Sequence, residues 1–132
     1  AIHFVSYEPA LAPADFSEFM DPLRRLDRTY RKQVARGMFN EYQVESLKEA
    51  CISWLIIGGE SGANARSFNI QWAREVIAQC KAAQVPVFAK QLGAQPLMPR
   101  EGDMPIHMKL RDRKGGDWSE WPSDLRVREF PK

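Results

Sequence analysis

Residues 52–66 constrain the fold most. Ile52, Trp54, Leu55, Ile56 and Ile57 form a nearly continuous apolar run that stops at Gly58-Gly59-Glu60-Ser61-Gly62. An apolar run that does not alternate is the pattern of a strand covered on both faces, as in a parallel sheet. Gly58, Gly59 and Gly62 let the backbone turn tightly and come close to a ligand. The helix expected over about Gln71 to Ala83 would point its free N–H groups and the positive end of its dipole toward the same side. The alternative reading is an ordinary strand-to-helix turn. The turn matches neither common phosphate fingerprint, since there is no Gly-x-Gly-x-x-Gly and no Lys-Ser/Thr follows Gly62.

At 132 residues the chain has the length of one domain and is short for a complete barrel, which typically takes about 250 residues. It opens in strand-like sequence at Ile2-His3-Phe4-Val5 without an initiator Met, so an N-terminal part is expected to be missing. A strand over Phe4 to Tyr7 closes at Glu8-Pro9, because Pro9 pushes Glu8 out of helical geometry and brings no donor. Asp21-Pro22 opens a helix with Leu23, Leu26, Tyr30 and Val34 as its stripe. A second helical stretch, about Glu41 to Ala50, leads into the Trp54 strand, and residues 17–50 together read as a helical insertion. Trp72, Val76, Ile77 and Cys80 give the later helix its apolar face, and Val85 to Ala89 is the next strand. Strand, helix, strand over about 40 residues is a βαβ unit. Pro96, Pro99, Gly102 and Pro105 make Leu92 to Arg113 read as a long loop. Residues 94–132 are then a loop-rich tail pinned by Trp118 and Trp121. The fold expected is α/β, parallel strands with crossover helices, in a partial, half TIM-barrel-like fragment.

The net charge of +2 implies no nucleic acid by itself. Cys51 and Cys80 make no disulfide framework and lack metal-ligand spacing, so buried free thiols in a reducing, cytoplasmic setting and no metal site are expected. No apolar run approaches the roughly 18 residues of a membrane span.

Three expected strands end in polar residues that an inert sheet would not require: Glu8, Glu60, and Lys90 with Gln91. Parallel strands would gather them at one edge, and the carboxyl ends of strands are where α/β sheets bind ligands. Glu8, Glu60 and Lys90 are the candidate catalytic residues; Gly58, Gly59, Glu60, Ser61, Gly62, Arg66 and Gln91 are the candidate cofactor-binding ones. The carboxylates suit general acid and base work or a substrate amine, and Lys90 and Arg66 suit phosphate or carboxylate. The competing reading pairs Glu8 and Glu60 with Lys90 and Arg66 in a structural network. The helix from Pro22 carries Arg24, Arg25, Arg28, Arg31, Lys32 and Arg36, which could contact a phosphate backbone. Asp21, Asp27, Glu18 and Glu41 dilute that charge, so a solvated helix face is the competing reading.

The blocks Phe4 to Leu11, Trp54 to Gly62 with Ala65-Arg66, and Val87 to Gly93 resemble the C-terminal half of a phage-associated three-cysteine-motif family of unknown function. The tail around Lys114 to Asp117, Glu120 to Pro122 and Leu125 to Arg128 is similar to that family's ending. The resemblance implies a radical-SAM-like, TIM-barrel-related fold. It also implies that the partner of this chain is the missing N-terminal half of a parent protein, where an iron–sulfur cluster and S-adenosylmethionine would belong. No three-cysteine motif stands in these residues, so no cofactor is expected in the fragment alone, which should be catalytically silent and self-associating. Gly58-Gly59-Glu60 is similar in letters to the turn that touches the amino acid part of the cofactor in radical-SAM enzymes, although it stands on a later strand.

Overall fold

The computed structural model describes residues 2–21, 36–37 and 51–132. Apart from Arg36, the helices expected over 22–36 and 41–50, and with them the basic face from Arg24 to Lys32, lie outside the described residues.

Strand β1 (Phe4–Tyr7), strand β2 (Trp54–Gly58) and strand β4 (Val87–Gln91) form one three-stranded sheet in the order β1-β2-β4, parallel throughout. A short helix α1 (Ser17–Met20) follows β1. Between β2 and β4 come the two-residue strand β3 (Phe68–Asn69) and helix α2 (Ile70–Ala83). The carboxamide oxygen of Asn69 accepts the Gln71 N–H, which caps the start of α2, and Gln84 ends it in a left-handed conformation at φ 56°. Ala73, Val76, Ile77 and Cys80 recur at helical spacing and are buried, as are Leu55, Ile57, Val87 and Ala89 of the sheet. These side chains belong to one continuous core.

Burial along β2 alternates, with Trp54 and Ile56 only half-buried. The expectation that this strand is covered on both faces is therefore met on one face only. Among the described residues, α2 supplies the cover on the Leu55 side. Among the described residues, the groove on the other face, which bears Trp54, Ile56, Phe88 and Lys90, is completed by Glu8 and by Arg128 and Phe130 of the C-terminal segment.

The region from Leu92 to Arg113 is not a continuous loop. Strand β5 (Pro96–Arg100) and strand β6 (Asp103–His107) pair antiparallel, and β5 pairs parallel with β3, giving a second three-stranded sheet in the order β3-β5-β6. The prolines that suggested a loop occupy positions where no ladder donor is needed. Pro96 opens β5, Pro99 sits at the register shift between Met98 and Arg100, and Pro105 lies on the edge strand β6. The described strands thus divide into two sheets and do not close into a barrel.

The C-terminal segment returns along the outer edge of β4. The Ala89 N–H donates to Val127 O and the Glu129 N–H to Val87 O. Trp121 and Leu125 are buried there. Trp121 pins the tail as expected, but Trp118 does not: it is 43% exposed and lies under the Arg128 guanidinium, 5.3 Å from ring centroid to carbon. No helix among the described residues is long and apolar enough to cross a membrane.

Cys51 and Cys80 are buried and are not joined in a disulfide. Burial, reinforced by the charge of Glu129, pushes the Cys80 thiol up to about 12. A thiol of that kind offers almost no thiolate near neutral pH. Disulfide-exchange reagents at pH 8 should therefore modify Cys80 only as fast as the protein unfolds; rapid stoichiometric labelling of Cys80 in the native state would contradict this.

Candidate strand-end site

Because β1, β2 and β4 are parallel neighbours, their carboxyl ends lie along one edge, and the polar residues that follow them meet there. Glu8 comes from the end of β1 and Lys90 from β4, two strands away. Lys90 Nζ stands 3.4 Å from Glu8 Oε2. The Ser6 hydroxyl donates to Glu8 Oε1 at 2.8 Å. Lys90 keeps 54% of its side chain exposed and Glu8 22%, so solvent screening leaves this pair a small stabilising role at most. An ammonium group has three donors, and the contact to Glu8 leaves Lys90 with others directed to solvent.

The floor between these groups is made of glycine because two chain segments cross at van der Waals contact. The Gly59 N–H donates to Gln91 O, and Gln91 Nε2 donates back to Gly59 O, each at 3.0 Å. A Cβ on Gly59 would lie 2.3 Å from Leu92 O. A Cβ on Gly58 would stand 3.3 Å from both Gln91 O and Glu8 Oε2, so that position sets how closely the Glu8 carboxylate approaches the strand end. Gly93 in turn crosses Glu60, and Gly115 of the tail crosses Gly93. The Leu92 and Gly93 N–H groups donate to Gly115 O and Lys114 O.

Glu60 is placed differently from Glu8. Its Oε2 accepts both the backbone N–H and Nε of Arg66, at 2.9 and 2.8 Å, and its Oε1 accepts Nη2 at 3.1 Å. This fork closes the loop over 60–66, with Ser61 and Gly62 exposed at its tip. Hydrogen bonds from the Arg66 side chain, then from its backbone, pull the Glu60 carboxyl down from 4.5 to about 2. A depressed carboxylate contributes loop order that is fully present above its unfolded pKa and is lost as pH falls through about 2. A carbon-detected NMR titration should find Glu60 ionised well below pH 4. In Arg66→Gln it should titrate near its ordinary value, and an unchanged midpoint in that variant would refute the assignment.

The structure thus brings Glu8, Lys90, Gln91, Gly58 and Gly59 together and sets the Glu60–Arg66 pair on the adjoining loop. The pairing of Glu8 with Lys90 and of Glu60 with Arg66 is the one the network reading describes. Three residues missed as candidates complete the surroundings. The Asp112 carboxylate accepts the N–H groups of Lys114, Gly116 and Asp117, which lowers its pKa and folds the Gly115-Gly116 turn against β4. Glu120 does the same for Arg111 and Asp112. Arg128 donates to Ala89 O and Lys90 O at 3.1 and 3.0 Å and lies over the rings of Phe88, Trp118 and Trp121. An acid shortly before a Gly-Gly-Asp turn was a readable signal for Asp112; nothing local marked Arg128.

Beside Glu8 and Lys90 a groove of about 420 Å³ runs down the open sheet face. A larger cavity, about 880 Å³, lies between the Pro13–Asp21 stretch and α2. Its central amide is engaged internally, since Gln79 bonds the Phe16 N–H and Ala14 O, and no strand end reaches it. Among the described residues no three His, Cys, Asp or Glu side chains gather in a way that could hold a metal ion.

No curated protein and no solved structure matches the chain. The model of a family described as "Protein of unknown function (DUF5131)" matches residues 1–122, and the chain belongs to that family.

Proposed function

We propose that this chain is the C-terminal portion of a phage-associated, radical-SAM-like α/β protein and forms the strand-end wall of its substrate or cofactor pocket. The observation that carries the reading is the meeting of Glu8 and Lys90, from strands two places apart, at the carboxyl edge of a parallel sheet. In this pocket Lys90 binds a carboxylate or phosphate, Glu8 accepts from an amine, and the Gly58-Gly59 turn admits the ligand close to the backbone. Glu60 and Arg66 hold the adjoining loop in shape.

Two further observations support a half-barrel that other strands complete. Strand β1 is an edge among the described residues, and Phe4-Val5-Ser6-Tyr7 carries neither charge nor proline to protect it. The face beside it exposes Phe4 by 58% and Phe130 by 66%. The missing N-terminal half of the parent protein would pair with that edge. Without it the chain should self-associate, and light scattering that shows a monomer at high concentration would oppose this.

The residues of this chain do not fit an iron–sulfur cluster. Both thiols are buried, Cys80 in the apolar core, and the described residues offer no ligand set. A cluster would have to be held elsewhere in the parent. The test is anaerobic purification of the protein in its longest expressed form. Stoichiometric iron and sulfide, with a visible band that S-adenosylmethionine perturbs, is the expected result. A colourless, iron-free protein that does not bind S-adenosylmethionine would overturn the cofactor reading and leave a binding scaffold, with the helix over 22–36 as a candidate nucleic-acid contact.

A further inference from the structure

We infer that the groove on the open face of the β1-β2-β4 sheet binds a mononucleotide, stacking its base on aromatic rings and holding its phosphate near Lys90. The inference rests on the strand-end pocket proposed above, though not on its cofactor.

The floor is aromatic and its rings are already in mutual contact. Trp54 lies at centroid distances of 6.0 Å from Phe4, 6.3 Å from Phe88 and 5.9 Å from Phe130, and Phe88 lies 5.3 Å from Phe130. Trp54 and Phe88 project from neighbouring strands onto the same face, with Ile56 in register with Phe88. Sheet faces with aromatic side chains on adjacent strands are stacking platforms for bases, because every base presents a π-face. The groove's volume of about 420 Å³ falls in the range of small-ligand sites.

Charge selects among planar ligands. The groove's ionisable side chains are Glu8, Lys90 and Arg128, two cations against one acid. Arg128 spends donors on the carbonyls of Ala89, Lys90 and Gly116, so it shapes the wall and lends its charge. Lys90, half exposed, has donors left for a phosphate oxygen. Glu8 sits at the same rim and can accept from an exocyclic amine of a base. An apolar peptide or lipid chain offers no acceptor to the remaining Lys90 donors, whereas a base carrying a phosphate offers one and covers the rings.

The test is calorimetric titration of the full chain with AMP, adenosine, inorganic phosphate and a short single-stranded oligoadenylate. AMP should bind, with adenosine and phosphate each weaker. An oligoadenylate no tighter per site than AMP is the expected result, and a markedly tighter one would overturn the mononucleotide assignment in favour of a single strand. Phe130→Ala removes an exposed ring and Lys90→Gln an exposed charge, so both variants should keep the parent's urea midpoint. Phe130→Ala should weaken AMP by roughly tenfold, the size expected for one lost stacking partner, and Lys90→Gln by roughly tenfold through loss of a charge-assisted hydrogen bond. No heat with AMP or the oligomer at millimolar concentration overturns the inference. So does phosphate binding as tightly as AMP, or unchanged affinity in both folded variants. Absence of iron in the parent protein would leave these outcomes unaffected, so the two readings fail separately.

Discussion

Alanine at Gly59 or Gly93 is expected to lower stability by about 3 kcal/mol or more, through overpacking and, at Gly93, backbone strain. The added methyl at Gly59 would lie 2.3 Å from Leu92 O, and at Gly93 2.6 Å from Glu60 O, distances that require the backbone to move. Gly93 also has φ of 82°, where a side chain is strained whatever the space. The atoms met are backbone atoms of the strand ends themselves, tied by the Gly59 N–H to Gln91 O and the Ala94 N–H to Glu60 O. Relaxation would therefore separate β2 from β4 where Glu8 and Lys90 meet. Gly62 is the control: its φ is 107° but nothing lies within 4 Å of an added Cβ. Gly62→Ala should cost only the conformational penalty, about 1 kcal/mol. Urea unfolding of the three variants decides the matter, and equal losses at Gly59, Gly93 and Gly62 would refute the crossing argument.

Trp121→Ala should cost about 3–5 kcal/mol, the usual range for a large buried aromatic. Trp121 is 1% exposed, packs in the main core, and donates Nε1–H to Gly115 O at 2.8 Å. Its loss would leave that carbonyl with the Leu92 N–H alone and loosen the turn that covers Leu92 and Gly93. Trp118→Ala should cost far less, because that ring is half exposed and only supports Arg128. The pair of variants separates two tryptophans that look alike in sequence. A Trp118→Ala loss as large as that of Trp121→Ala would show that the tail is held by the Arg128 stack instead.

Much of the central unit could be read from local pattern. The run ending at Ile57, the helical spacing of Val76, Ile77 and Cys80, and the apolar stretch ending at Ala89 identified β2, α2 and β4 because each pattern reflects a face that must be buried. The polar strand ends followed from the same elements. Prolines were the main source of error. Taken as breakers, they hid β5 and β6, since a proline's effect depends on whether its position is an edge, a strand start or a bulge, and none of these is written in the neighbouring residues. The alternating burial of β2 was hidden for a related reason. Trp54 and Ile56 are as apolar as Leu55 and Ile57, and only the placement of α2 decides which pair it covers.

The sequence by itself determined that parallel strands joined by a helix would carry Glu8, Glu60 and Lys90 at their ends, because periodicity and chain order suffice for that. Only the tertiary structure decided how those ends are partnered. Glu60 was given to Arg66, six residues along, and Glu8 to Lys90, 82 residues away. It also brought Arg128 and Phe130 from the end of the chain to the open face of the sheet. Such pairings depend on distance in space, and a contact between residues far apart in sequence is set by how the whole sheet and its tail pack, which no local pattern encodes.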